Sequence, residues 1–330
     1  MWPAMPTPDG KQWGRLRLFD PRKGVTIRAP LGSAPGWWAG ASSCVREHST
    51  GFFFMYYRLR KPRERGRGAE CRIAASADGV HFEDVWHATR DQIGTVSMER
   101  SALVQGEDGV WRLYLSYVDP ADNRWRIDLL EADEPRRFDP QIRQPVLTGP
   151  TIGAEGVKDP VVLVFGGIYF MFVSYARPPV GLEPHQAAGL HATADVFNTG
   201  LTLSATGLAL SSDGRHFEWQ GEVFGPAPSG WDRYCARIST VVYLPPVFAF
   251  LYDGSATVDE NYEERCGLGM SLDLARFHRA SANQPVLTSP HGSGSLRYAD
   301  AVRDGDRLLL YYEYARPDGS HELRMSLVTF

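Results

Sequence analysis

The chain has no apolar run long enough to cross a membrane: stretches such as Val161 to Phe165 fall far short of the ~20 residues a spanning helix needs. It has little surplus charge. Lys and Arg number 35 against 39 Asp and Glu, a formal net charge of −4 over 330 residues, which argues against nucleic acid as a main partner. There is no CxxC pair, so Cys44, Cys71, Cys235 and Cys266 are read as reduced, mostly buried thiols. Met1-Trp2-Pro3-Ala4-Met5-Pro6 lacks the charged-then-apolar pattern of a secretory signal, and the expected location is the cytoplasm. No Gly-rich phosphate loop or serine-nucleophile elbow occurs. His185 and His191, six apart on a loop, are poorly spaced for a helical metal pair, so neither metal nor cofactor is expected.

A helical period is missing too; what the chain has instead is repetition. Five aromatic, β-branched runs read as strands: Phe52 to Leu59, Trp111 to Asp119, Ile168 to Arg177, Val247 to Ser255 and Arg307 to Arg316, starting 59, 57, 79 and 60 residues apart. A shorter apolar strand precedes each one (Ala41 to Val45, Ser101 to Val104, Pro160 to Val164, Ser239 to Tyr243, Ala299 to Val302), spaced 60, 59, 79 and 60. The two rows keep one register. A third strand runs into a matching turn in three units, at Ser76 to Phe82, Ser211 to Phe217 and Ser271 to Phe277, with a degenerate copy at Asp133 to Phe138. Asp-Gly provides the positive-φ corner, and the Phe four residues after the Asp packs back between units. A linker also repeats, Gln144 to Pro150 against Gln284 to Pro290.

Units of about 60 residues with three or four strands each predict an all-β fold, a single-domain five-bladed β-propeller. The blades fall at approximately 36–95, 96–150, 151–230, 231–290 and 291–330. The last lacks an outer strand, which an N-terminal strand, Arg15 to Phe19, is expected to supply, closing the ring and removing an exposed edge. The extra residues of the third unit, roughly Pro178 to Gly200, read as a long loop over one face.

A propeller brings the starts of its innermost strands to one mouth of a central channel. Trp37 and Trp38, Glu99 and Arg100, Lys158 and Asp159, Arg237, and Tyr298 with Asp300 all lie there. His291 approaches the same mouth from a Gly- and Ser-rich stretch, and Arg58 follows on the next strand. Aromatic faces beside carboxylates and guanidiniums suit a polyhydroxylated ligand: rings stack on sugar C–H faces and charged groups bond hydroxyls in pairs.

Phe54-Met55-Tyr56-Tyr57-Arg58 followed by Ile73 to Phe82 resembles the first blade of the β-mannoside phosphorylase and hydrolase family. Gly156-Val157-Lys158-Asp159-Pro160, followed by Tyr169-Phe170-Met171, is similar to that family's motifs at the starts of blades, and to the Arg-Asp-Pro motif of the related arabinanase and invertase propellers. The resemblance implies a five-bladed glycosidase-like fold and a role in carbohydrate metabolism. It also shows departures. The mannoside family has Gly-Val-Glu-Asp-Pro-Arg at its second blade, whose Asp donates the proton, where this chain has Val96-Ser97-Met98-Glu99-Arg100-Ser101. The arabinanase and invertase relatives need an acid at the start of blade one and a Glu in blade four, where this chain has Trp37-Trp38 and Arg237.

The main expectation is a hydrolase-like or phosphorylase-like enzyme acting on a glycosidic bond of a small carbohydrate, with Glu99, Asp159 and Asp300 as its acid, base or stabilising set. Glu99 is the surviving candidate for proton donor, with burial raising its pKa; an ion pair is the competing reading. Asp300 is taken as the counterpart of Asp159, 16 residues after Gln284 where Asp159 is 15 after Gln144. Trp37, Trp38, Arg58, Arg100, Lys158, Arg237, Tyr298 and His291 are the expected substrate-binding residues, with charge neutralisation and core packing as alternatives. Two rival functions stand: a non-catalytic sugar-binding propeller, and a non-hydrolytic reaction on a small metabolite in the same fold.

Overall fold

The computed structural model describes residues 16–329. A short strand β1 (Val25–Arg28) precedes five antiparallel units. Blade one is β2 (Trp38–Arg46), β3 (Phe53–Arg60), β4 (Gly68–Ser76) and β5 (Glu83–Thr89); blade two is β6 (Ala102–Gln105), β7 (Trp111–Val118), β8 (Trp125–Ala132) and β9 (Gln144–Thr148). Blade three is β10 (Gly156–Phe165), β11 (Ile168–Ala176), β12 (Ser204–Ser211) and β13 (Glu218–Phe224). Blade four is β14 (Cys235–Leu244), β15 (Val247–Ser255), β16 (Arg265–Ser271) and β17 (Phe277–Arg279), and blade five is β18 (Leu296–Asp304), β19 (Arg307–Ala315) and β20 (His321–Thr329). No helix among the described residues is long and apolar enough to cross a membrane.

An N-terminal strand completes blade five, but not the one expected. β1 pairs antiparallel with β20, Val25 opposite Met325, and takes the outer edge. Arg15 lies outside the described residues. Leu16 to Phe19 forms no ladder: Leu16 is buried in the apolar cluster between blades four and five, and Arg17 donates to the Thr329 carbonyl at 2.9 Å. The apolar character of that segment serves packing, while the less apolar Val-Thr-Ile-Arg of β1 suits a half-exposed edge.

Five apolar clusters fill the five interfaces between neighbouring blades. The repeated turns close them as the sequence predicts. Gly79 and Gly214 sit at φ +75° and +72°, and Leu274 takes the same corner at +61°. Phe82 lies edge-on to Tyr311, Phe217 to Tyr114 and Phe277 to Phe172, each reaching the blade before its own.

The inner strands share one irregularity. Each of β2, β10, β14 and β18 has a bulge of one extra residue opposite its neighbour, between Gly40 and Ser43, Lys158 and Val161, Ile238 and Thr240, and Arg297 and Asp300. Blade two repeats it between the Met98–Tyr117 bridge and the Ala102–Tyr114 pair. Bulges bend a strand and re-aim its side chains. Here Ala41, Asp159 and Tyr298 adopt left-handed backbone, at φ +56°, +54° and +51°.

The third-unit insertion forms a roof over one end of the channel, with a short helix at Pro184–Gly189. Its Leu190, Val196 and Phe197 bury against Val118, Trp125 and Ala176. Asp195 pairs with Arg67 at 3.0 Å and Arg63 at 3.4 Å in blade one, and Asn261 after β15 donates to the Phe197 carbonyl at 3.0 Å.

Candidate active site

The repeated bulge sets side chains in rings. Just before it stand Gly40, Glu99, Lys158, Arg237 and Arg297; opposite them on the second strands stand Arg58, Ser116, Ser174, Asp253 and Glu313. Gly40 is the one small member of its ring, and a Cβ there would collide with the Glu313 carboxylate, which occupies the space. The roofed end of the channel therefore holds a dense ionic lattice.

Arg58, fully buried, binds Glu99 through Nε at 2.9 Å and Glu313 through Nη2 at 3.3 Å. Arg297 spans Glu313 at 2.7 Å and Glu264 at 2.6 Å. Arg237 joins Asp159 at 2.9 Å, Asp253 at 2.9 Å and Glu264 at 3.3 Å. Tyr298 sits among these cations, with the Arg237 guanidinium 4.3 Å from its ring centroid, and its hydroxyl lies 3.4 Å from Asp159 Oδ2. Trp38 is buried between Arg60 and Arg297 at 4.3 and 4.5 Å and stacks on His321. Lys158 lies 3.5 Å from Asp159 Oδ2 and under the roof's Phe197.

Burial would push the Glu99 carboxyl up, but Arg58, Arg60, Lys158 and Arg297 outweigh it and hold the group at about 2. The expectation of a raised Glu99 is thus overturned: it is an ionised carboxylate. Glu313 is likewise lowered, burial being outweighed by Arg297, Arg58 and His321. Burial raises Asp253 to about 6, while both its oxygens remain tied to the Tyr298 N–H and one also to Arg237. His321 is raised: burial opposes the proton, but Glu263 and Glu313, both 2.9 Å away, win. Two carboxylate oxygens of the lattice are buried without a hydrogen bond, Glu99 Oε2 and Asp159 Oδ1; the first is ion-paired to Arg58 Nε at 2.9 Å, and the second stays open.

The structure does not bring all three expected carboxylates together. Glu99 and Asp159 share the lattice through Lys158 and Tyr298. Asp300 does not; with Arg100 it faces a cavity further along the channel. The linker count misaligned it, because Tyr298, 14 residues after Gln284, is the true counterpart of Asp159. Two binding candidates also fall outside the lattice: Trp37 is half-buried beneath Arg65, and His291 lies edge-on to Tyr314. Asp253, Glu264 and Glu313 were missed. Asp253 and Glu313 carried a signal, as each, like Arg58, is a charged residue directly after a Tyr in a strongly apolar strand.

No protein-family model and no curated protein matches the chain. Solved structures do match it. A β-1,2-mannobiose phosphorylase from Listeria innocua, in complex with β-1,2-mannobiose, superposes with a TM-score of 0.61 at 13% identity, covering 94% of both chains. A glycosyl hydrolase from Bacteroides ovatus gives 0.62 at 14%, over 94% of this chain and 92% of that one. The GH43_1 enzyme from Xanthomonas citri, complexed with xylotriose, gives 0.61 at 15%, over 92% and 89%. The fold is that of the glycosidase propellers. Within this propeller, Arg237 answers three acids of blades three and four, and every acid of the lattice has a cation beside it. The four cysteines are free, and among the described residues no group of three His, Cys, Asp or Glu side chains is placed to hold a metal ion.

Proposed function

We propose that the roofed end of the channel binds a small carbohydrate or glycoside and acts on its glycosidic bond. The observation that carries this reading is Asp159 Oδ1, a buried acceptor without a partner, held on left-handed backbone beside the Tyr298 hydroxyl and Lys158. Such an atom is costly to leave empty, and a sugar hydroxyl satisfies it. Asp159 orients the sugar. Glu99, ionised, serves as a base or as the stabiliser of an oxocarbenium-like charge rather than as proton donor. A site without a strong internal acid works best on bonds whose leaving group needs little protonation.

The test is a panel of p-nitrophenyl glycosides of mannose, xylose and arabinose, beside the matching unactivated disaccharides. The activated substrates are expected to be cleaved faster, and Asp159→Asn, which keeps an oxygen for Arg237, to lose about 10²-fold or more in rate while remaining folded. A second reading, a sugar-binding propeller without catalysis, is favoured by the ion pairing that holds Glu99 at about 2. Saturable sugar binding that Asp159→Asn abolishes, with no cleavage of any panel member, would decide for it.

A further inference from the structure

All five inner strands contribute to a cavity of about 190 Å³ further along the channel. Leu103, Val164 and Val241 give it aliphatic wall, Ser43 and Thr240 add hydroxyls, and its charged lining residues are Arg100 and Asp300.

Just past the bulge, three blades make the same bond to the next. Ser43 Oγ accepts from the Leu103 N–H at 3.0 Å, Thr240 Oγ1 from the Ala301 N–H at 3.2 Å, and Asp300 Oδ2 from the Cys44 N–H at 2.6 Å. A hydroxyl suffices for this bond in two blades, so a carboxylate at Asp300 exceeds what the fold requires. Its other oxygen, Oδ1, looks toward Arg100 Nη2 at 3.5 Å, too long for a good hydrogen bond. Arg100, 2% exposed, gives Nη1 to the Ser239 carbonyl at 2.6 Å, and its Nε has no partner. At the cavity wall a guanidinium and a carboxylate oxygen thus stand side by side without a good hydrogen bond between them, each with hydrogen-bonding capacity to spare.

We propose that this cavity is a second binding site, distinct from the roofed end, that takes one small neutral polyol no larger than a single sugar ring, with Arg100 donating to one hydroxyl and Asp300 accepting from its neighbour. Neutrality follows from the lining: one cation and one anion already balance, and a charged guest would leave one of them uncompensated in a buried place. Size follows from the volume of about 190 Å³. The aliphatic walls meet the C–H groups of such a guest. At the same end of the channel, Phe165 and Tyr243, rings 5.4 Å apart, add half-exposed aromatic surface at the ends of β10 and β14.

The experiment titrates glycerol, D-xylose, L-arabinose and D-mannose calorimetrically into the full chain, into Asp159→Asn, and into two variants of the second site. Asp300→Thr keeps an oxygen for the Cys44 N–H, as Thr240 does for Ala301, and removes the carboxylate. Val164→Phe fills the cavity without altering either polar group. The expected result is saturable binding of at least one probe that persists in Asp159→Asn, weakens at least tenfold in Asp300→Thr and disappears in Val164→Phe. Absence of saturable binding to the parent overturns the proposal. So does binding that both second-site variants leave unchanged, including binding that only Asp159→Asn removes. If Asp300→Thr does not fold, Val164→Phe alone decides.

Discussion

Glu99 and Asp300 are both buried acids in or just before inner strands, a few residues from the same repeated bulge, yet one is held down at about 2 and the other pushed up to about 6. Burial pushes both upward. The difference lies in what faces them: Glu99 meets two guanidiniums directly, with Lys158 and Arg297 behind, whereas Asp300 has a backbone N–H and one guanidinium at 3.5 Å. The roofed end is a lattice in which every charge is answered, and the far end leaves one pair partly idle. Desolvation sets the default of a buried acid, and the number of close cations decides whether that default survives.

The largest way to break this contrast is to remove the hub of the lattice. Arg237→Leu removes the cation that Asp159, Asp253 and Glu264 share and leaves Asp253 with none, and chemical denaturation should show a loss of about 3–5 kcal/mol. No single substitution at the far end should approach that.

Glu99→Gln sharpens the comparison through pH. Because the folded pKa lies below the ordinary 4.5, the ionised Glu99 contributes stability above pH ~4.5 that is lost as pH falls toward 2. Parent and variant should therefore converge as the medium is acidified over that window. Asp300 runs the other way. Its folded pKa of about 6 lies above the ordinary 3.8, so its favourable contribution is full below pH ~3.8 and vanishes as pH rises through 6. Asp300→Asn should gain on the parent across that interval by about 2 kcal/mol. Melting curves at pH 2.5, 4 and 7 check both signs: a Glu99→Gln gap that does not close on acidification would mean that burial, not the neighbouring cations, governs the roofed end, and an Asp300→Asn shift of the opposite sign would mean that Arg100, not burial, governs the far end.

The smallest effect is expected at Thr240. Thr240→Ser keeps the hydroxyl that accepts the Ala301 N–H and should change stability by less than about 0.5 kcal/mol, against a larger loss for Thr240→Val, which leaves that N–H without its partner.

Much of this architecture was legible in the sequence because it is periodic. Strand spacing, the Ser-x-Asp-Gly turns and the Phe four residues after each Asp are local patterns repeated often enough to define one another. The closing strand was misplaced because an edge strand needs little apolar content, and Leu16 to Phe19 looked the better strand while serving as packing. Asp300 was misplaced because the count from Gln284 is off by the length of the approach, and two residues along a strand is ~7 Å, enough to move a side chain to another cavity. Asp253, Glu264 and Glu313 lie after the starts of their blades, where attention to inner strands alone does not reach.

The repeated bulge has a consequence for how such a molecule tolerates change. Since the backbone, not the side chain, creates the bulge, five equivalent places are offered whatever residues occupy them, and here Ala41, Arg100, Asp159, Ile238 and Tyr298 stand at one such place with five different chemistries, Ile238 turning into the core between blades three and four. The ladder that holds the blades is indifferent to that choice. A new specificity can therefore arise by exchanging side chains around a ring while the register of every strand stays fixed, and the toll on folding is confined to whichever charges lose their partners.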